Sequence, residues 1–552
     1  MQSLSVAVKD NARRDAWALW SWLAVGAAGM LWLAAAMPPD GFFAGDSGVK
    51  LIAARNAVNH PGRPFEIDLP AIAGQRRPYV ERFFQVHGDH AHATQSPVFP
   101  VLSAPPLASA GLRGVYLLPL ISFLSVLPVL SLARGAMGVP IGVNVLGATT
   151  ILTSPVFFYG LEFWEHAPAV ACLAGSTALV LTAPRGRLAS TFSAAAAGAL
   201  GGLAVLLRPE AAWYLAGLVL LWRRERRIWF LVLGTVAVVG PFAVLNLVHS
   251  GNPLGTHAAV VLSSLTTTGW LGTRGDRLLL WLLPHGPLGV AGFATLAAAW
   301  LMPVADGDLR RRQTIGLIGS AVLALAAARG EFNRESAWAA WPVGALLFIP
   351  LARPPQMRRL VALSAVSIVA VVLTSPNDGG AQWGPRFLLF ATPALLLLGA
   401  YAATDAVQPG HGRRIRVALV LVVLAAGLWT TRSAYRELRS AKRYYSGIVA
   451  AVETATSPGD YIVFSTWWFD QVVASLTGTR TFLYARDASA ATGILRELET
   501  AGASTVTLAW SREGDGDPLD GSMTGTCFHV EKTHTLAARS LTLVTATCSS
   551  RR

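Results

Sequence analysis

The chain has 552 residues, 53% of them hydrophobic and only 14% charged, with a mean hydropathy of +0.47. A soluble protein of this length divides into several domains with more highly charged surfaces, so an ordinary soluble class is excluded. The net charge of +14 falls in short clusters along the chain rather than in one patch, which sets nucleic-acid binding aside, and the absence of a GxxxxGK[ST] loop argues against an ATP-driven pump.

The first forty residues, "MQSLSVAVKDNARRDAWALWSWLAVGAAGMLWLAAAMPPD", carry a basic leading segment followed by the apolar run Ala16–Met37. That run is close to the 20 residues a membrane span needs. It is longer than the apolar core of a signal peptide and ends unlike a cleavage site, so it reads as a retained first span. Similar runs recur to about residue 432. Basic residues sit between alternate pairs of them: Arg13/Arg14, Arg134, Arg185/Arg187, Arg223–Arg227, Arg310–Arg312, Arg358/Arg359 and Arg413–Arg416. Placing these clusters in the cytoplasm satisfies the positive-inside rule at every turn. The outward loops are then 38–112, 160–166, 208–210, 249–285, 329–336 and 375–386. This predicts a polytopic α-helical membrane protein with about 13 transmembrane helices, the short pair around Arg208 being either spans or re-entrant. The transmembrane domain is residues 1–432, with a long first outer loop at 38–112.

The remaining segment, 433–552, changes character. "DYIVFSTWWFD", "RTFLYARD" and "STVTLAWS" read as short buried strands, while "QVVASLTG" and "SAATGILRELETAG" carry helical periodicity and end in glycine. Strands alternating with helices predict a small α/β domain, extracytoplasmic by the span count. Of the three cysteines, Cys172 falls inside a span as a packing residue. Cys527 and Cys548 lie in the outer segment, where an oxidising compartment permits pairing.

The chemistry is expected in the outer loops. A first loop of about 75 residues is long enough to be functional. In "GFFAGDSGVKLIAARN", Asp46 precedes a predicted amphipathic helix over Val49–Asn59 and has the position of an N-cap. Its functional reading is a carboxylate at the lipid boundary that takes a proton from an acceptor, with Lys50 one turn later meeting an anion. "QVHGDHAHATQSPVFPVLSAP" packs His87, Asp89, His90 and His92 into six residues, but their spacing fits no zinc template, so a polar cavity lining is the preferred reading and no metal site is predicted. Four further stretches place polar groups at outer faces: Glu162, Glu165 and His166 in "YGLEFWEHAPAV"; Arg208 and Glu210 in "VLLRPEAAWY"; His249, Asn252 and His257 in "HSGNPLGTH"; Gln382, Trp383 and Arg386 in "GGAQWGPRFLLF". Each alone reads equally as an interfacial anchor. Together they face one compartment, and charges at a membrane rim mark substrate pathways. Arginine suits phosphate and aromatic faces suit a sugar ring, so the set suits an anionic, lipid-anchored, sugar-like substrate.

The motifs "FFAGDSGVKLIAARN", "SPVFPVLSAP", "GVYLLP", "FWEHAPAV", "LLRPEAAWY", "GNPLGTH" and "WGPRFLLFATPAL", in that order over about residues 15–430, resemble the GT-C superfamily of integral membrane glycosyltransferases. The likeness is to the bacterial branch similar to protein O-mannosyltransferases and the lipid A aminoarabinose transferase. The resemblance implies transfer of a sugar from a polyprenyl-phosphate-linked donor to a protein, glycolipid or polysaccharide acceptor, at the outer face of the bacterial inner membrane and with inversion. Asp46 matches the acidic catalytic base of the family's first loop. Many members carry two adjacent acids there, whereas this chain has Ser47 after Asp46, leaving Glu165 and Asp89 as candidates for a second carboxylate. Lys50, Arg386 and Arg208 are the expected contacts to the leaving lipid phosphate, and His166, Glu210, Asn252, His257, Gln382 and Trp383 the remaining substrate contacts. The scheme requires no metal or other cofactor, although some members of the superfamily use a divalent ion. A flippase for a lipid-linked sugar would share the spans and anion contacts but should show repeats and broken helices at the midplane, which are not evident. A non-catalytic envelope-assembly subunit that keeps the fold is the other alternative.

Overall fold

The computed structural model describes residues 2–80, 83–182, 186–253, 255, 270–302, 309–351, 353–375, 382–410, 412–511, 519–536 and 540–548. The chain forms two compact units. One comprises residues 1–35 and 119–437; the other joins 36–118 to 438–552. This differs from the expected division at residue 432. Composition separates polar from apolar segments along the chain, but it carries no record of which polar segments pack together. The dividing point also lies inside one continuous helix, Arg413–Ala455.

The first unit is helical. Among the described residues, seven helices of the chain are long and apolar enough to cross a membrane, and an eighth if the bent pair Arg274–Leu282 and Pro287–Leu301 counts as one span. Three further apolar helices, Val143–Leu152, His166–Leu181 and Ala211–Trp222, are shorter than a membrane span, so the described residues do not reach the expected thirteen. Several of these helices leave large apolar side chains outside the protein core, Leu188 at 85%, Leu301 at 84% and Trp17 at 75% exposure. Water would penalise such surfaces at about 25 cal/mol per Å², whereas lipid would not, so these faces fit a membrane environment.

The second unit is built on a five-stranded mixed sheet in the order Thr481–Tyr484, Tyr461–Phe464, Thr505–Ser511, Leu541–Cys548, Phe528–Leu536. The first three strands are parallel and the last two antiparallel. Parallel neighbours require a crossover, and the helix Ala488–Thr500 supplies one, capped by the Asp487 carboxylate accepting from the N–H of Ala490 at 2.8 Å. Its apolar face, Ala491, Ile494, Leu495 and Leu498, packs with Val463, Leu483, Val506 and Leu508 of the sheet. Ile72, from the first loop, belongs to the same core, and Arg77 forms an ion pair with Glu497. The 38–112 region is thereby part of this unit's folding and not a free loop. Cys527 and Cys548 form a disulfide with Cα atoms 4.8 Å apart, closing the two antiparallel strands.

Candidate functional site

In the second unit, Asp46 does not cap its helix. The helix runs Gly45–Asn59, begins after an extended Ala44 that makes no side-chain cap, and holds Asp46 in its first turn. Gly-Asp-Ser-Gly favours a turn by propensity, but here packing overrides it. A Cβ on Gly48 would overlap the carbonyl oxygen of Gln471, so this part of the helix presses directly on the short helix Phe469–Val472. Nor is the helix amphipathic, since every residue from Ser47 to Ala54 is buried. It lies within protein, not along an interface. Arg55 fixes its middle, donating to the carbonyls of Ala474 (2.9 Å) and Ser475 (2.8 Å) and to the Thr477 hydroxyl (3.0 Å). Asn56 fixes its end, donating to the Glu66 carbonyl and accepting from the Asp68 N–H. On this anchored helix Asp46 is half-buried, and Lys50, one turn later on the same face, is only 2% exposed.

The histidine-rich stretch is a hairpin, Phe84–His87 paired with His90–Ala93 across Gly88 and Asp89. Asp89 is at the exposed tip, 3.3 Å from His90. His90 also meets Asp68 at 3.5 Å and Arg63 at 3.0 Å, while His60 contacts the other Asp68 oxygen at 2.8 Å. Among the described residues no three His, Cys, Asp or Glu side chains are arranged to hold a metal. The polar groups of this hairpin are engaged with one another.

The first unit gathers most of the other expected residues. Arg208, at the end of the Arg187–Leu207 helix, donates to Glu165 at 3.1 Å and grips Glu210 through two bonds of 3.1 and 2.9 Å. All three side chains are nearly buried. Arg208, expected as a phosphate contact, thus serves two carboxylates here. The aromatic residues are likewise engaged with each other. Tyr159 stacks on Trp164 (5.6 Å) and His166 (4.8 Å), and His166 also faces Phe390 at 6.4 Å. Tyr159 donates to the Trp383 carbonyl at 2.9 Å. Trp164 and Tyr159 are fully buried and His166 is 1% exposed, so these rings form a packed core. Arg386 is half-buried at its edge, 5.5 Å from the Trp164 ring and 5.4 Å from that of Phe387. Gln382 is fully buried beside Trp383 in sequence. Asn252 lies in the turn after the Ile228–Ser250 helix, its carbonyl accepting from Gly255. His257 lies outside the described residues.

Two buried groups escaped the sequence reading. Asp470 has no exposure, and burial pushes its pKa up to about 7, opposed more weakly by the backbone N–H groups of Gln471 and Asp470. The signal was an isolated acid inside the apolar run "FSTWWFDQVVA". Lys442 is 1% exposed in what reads as the polar end of a helix. The chemistry these arrangements offer is a proton acceptor one turn from an ammonium in the second unit, and a braced guanidinium at the edge of an aromatic core in the first.

No protein-family model matches the chain, and no curated protein matches it in sequence. Its fold, however, is similar to that of ArnT from Cupriavidus metallidurans. The apo structure matches with a TM-score of 0.51 at 12% identity, covering 95% of this chain and 98% of that one. The structure bound to undecaprenyl phosphate matches with a TM-score of 0.50 at 13% identity and the same coverage. The Archaeoglobus fulgidus oligosaccharyltransferase is a more distant likeness, with a TM-score of 0.45 at 13% identity over 89% of this chain and 69% of that one. The chain thus shares the fold of ArnT from Cupriavidus metallidurans.

Proposed function

We propose that the protein is an inverting membrane glycosyltransferase that moves a sugar from a polyprenyl-phosphate donor to an acceptor hydroxyl. The observation that carries this reading is half-buried Asp46 one turn before buried Lys50 on an anchored helix, in a fold like that of a protein solved with undecaprenyl phosphate. In the reaction the acceptor oxygen forms a bond to the anomeric carbon as the bond from that carbon to the phosphate oxygen breaks. The acceptor proton passes to Asp46, and the lipid phosphate leaves as an anion. A general base must lie within hydrogen-bond reach of the proton it takes. A phosphate leaving group needs stabilised charge more than it needs a proton, so a cation such as Lys50 suffices without a general acid or a metal. Residues 1–35 and 119–437 form the multi-pass membrane part in the bacterial inner membrane, and the second unit is extracytoplasmic. The Cys527–Cys548 disulfide supports that side, since such bonds persist in oxidising compartments.

The test is transfer by membranes holding equal amounts of wild-type or Asp46→Asn protein, supplied with radiolabelled undecaprenyl-phosphate mannose, glucose and arabinose. The amide keeps the shape of the side chain but does not accept the proton. Loss of transfer with donor binding intact supports the assignment, and the labelled product identifies the acceptor. Wild-type transfer by Asp46→Asn would sink it. Absence of transfer by wild-type protein itself would favour a flippase or an assembly subunit.

A further inference from the structure

The segment leading into the Asp46 helix is held by a buried cation from the other end of the chain. Lys442 projects its ammonium onto residues 39–42 and Tyr116, the two ends of the long first loop, all within the second unit. Its Nζ donates to the Gly41 carbonyl at 3.1 Å and to the Tyr116 phenol oxygen at 2.8 Å. That phenol in turn donates to the Pro39 carbonyl at 3.0 Å. The ammonium lies 4.3 Å from the centre of the Tyr116 ring and 5.7 Å from that of Phe42. One turn along the same helix, the Ser446 hydroxyl meets both carboxylate oxygens of Asp40, at 2.9 and 3.0 Å. The approach is close enough to require glycine, because a Cβ on Gly41 would overlap the carbonyl oxygen of Lys442. Four consecutive residues, Pro39 to Phe42, are therefore each fixed by this helix or by Tyr116, and Asp46 follows four residues later.

We infer that Lys442 is a positioning residue for sugar transfer: its ammonium ties the two ends of the first loop together and sets where Asp46 stands. The inference rests on the reading of Asp46 as the base. A surface lysine would contribute little here, but an ammonium directs three donors from one point, and that point is excluded from water. Charged hydrogen bonds are stronger than neutral ones, and a buried cation facing aromatic rings gains further. The functional consequence follows from the sensitivity of proton transfer to distance, since a displacement of about 1 Å costs roughly 100-fold in rate.

The test uses the full-length protein in nanodiscs. Lys442→Met keeps the length and apolar bulk of the stem and removes the donors. The expected result is a melting temperature within a few degrees of wild type, amide exchange over residues 40–46 about tenfold faster, and a kcat for transfer from the radiolabelled undecaprenyl-phosphate donors lowered roughly 10–100-fold. The donor KM should change less than about twofold, because the effect is on orientation and not on donor binding. In an Asp46→Asn background, Lys442→Met should cost no further activity, as expected of a residue acting through Asp46 and not of general destabilisation. Tyr116→Phe and Ser446→Ala each remove one bond of the same network and should show the same pattern with smaller losses, which keeps the inference falsifiable if Lys442→Met fails to fold. Unchanged exchange over 40–46, or a wild-type kcat in Lys442→Met beside an inactive Asp46→Asn, overturns the positioning role. Wild-type activity in Asp46→Asn overturns instead the reading of Asp46 on which it rests.

Discussion

Arg208 and Glu165 meet at 3.1 Å with almost no access to solvent, and Arg208 holds Glu210 with its remaining donors. A guanidinium between two carboxylates clamps two chain segments, the residue before the His166–Leu181 helix and the turn at 208–210. Removing one member of a buried ion pair costs about 3–5 kcal/mol because it strands the partner's charge. Arg208→Gln, which leaves two buried carboxylates facing each other, should therefore lower the melting temperature in detergent by several degrees more than Glu165→Gln. Intrinsic tryptophan fluorescence on heating measures it. If Arg208→Gln melts like wild type yet no longer binds undecaprenyl phosphate, Arg208 is a phosphate ligand after all.

Asp470 sets an expected pH dependence. Its native pKa is raised to about 7 from an ordinary 3.8, so the folded state binds the proton more tightly than the unfolded state. The associated stability is fully present below about pH 4 and is lost as pH rises to about 7. A difference of about three pH units corresponds to roughly 4 kcal/mol, an upper figure for a group this buried. Asp470→Asn cannot ionise, so its stability relative to wild type should increase between pH 4 and pH 7 and level off above. Parallel melting curves for the two proteins over that range would refute the assignment.

The legibility of this chain follows from which interactions are local. Spans, basic clusters and the strands around Tyr461–Phe464, Thr481–Tyr484 and Thr505–Ser511 are written in runs of a few residues, and they could be read. The antiparallel strands Phe528–Leu536 and Leu541–Cys548 were not anticipated, because alternating Thr, Lys and His give one of them a polar, exposed surface. The start of the Asp46 helix was misplaced for a different reason. Its glycines signal a turn, but they admit Gln471, more than 400 residues away: Gly45 its side chain and Gly48 its backbone. Lys442 and Asp470 were missed on the same ground. A buried charge is recognised by what surrounds it, and the surroundings of Lys442 are supplied by residues 39–42 and 116. The pairing of Arg208 with Glu165 and Glu210 and the stacking of Tyr159, Trp164 and His166 cannot be foreseen from spacing.

The disulfide offers a simpler test of the second unit. Cys527 and Cys548 are 21 residues apart, and closing a loop of that length removes about 3 kcal/mol of unfolded-chain freedom. Cys527→Ser/Cys548→Ser protein should lose stability in this unit by about that amount and become more sensitive to protease in the strands Phe528–Leu536 and Leu541–Cys548. A double variant as resistant as wild type would show that the sheet core alone, with Val544, Ala546 and Phe528 buried, is sufficient.

The donor-binding residues can be separated by charge. Lys50, in the second unit, is buried one turn from Asp46, and Arg386, in the first unit, is half-buried and braced by two aromatic rings, so each is tested separately as a phosphate contact. A hydrogen bond to a charged group contributes about 1.5–3 kcal/mol, equivalent to roughly 10–100-fold in affinity. Lys50→Met and Arg386→Gln should each weaken binding of undecaprenyl phosphate, measured in nanodiscs by displacement of a labelled analogue, by about that factor. Asp46→Asn should leave binding unchanged or tighten it, since it removes a negative charge one turn from Lys50. Binding should also depend on the phosphate rather than the lipid alone, so undecaprenol should compete poorly with wild type and lose nothing further in Lys50→Met. Equal binding of undecaprenyl phosphate by wild type and both cation variants would mean that neither Lys50 nor Arg386 meets the leaving group, and the chemistry assigned to the Asp46 helix would lose its electrostatic half.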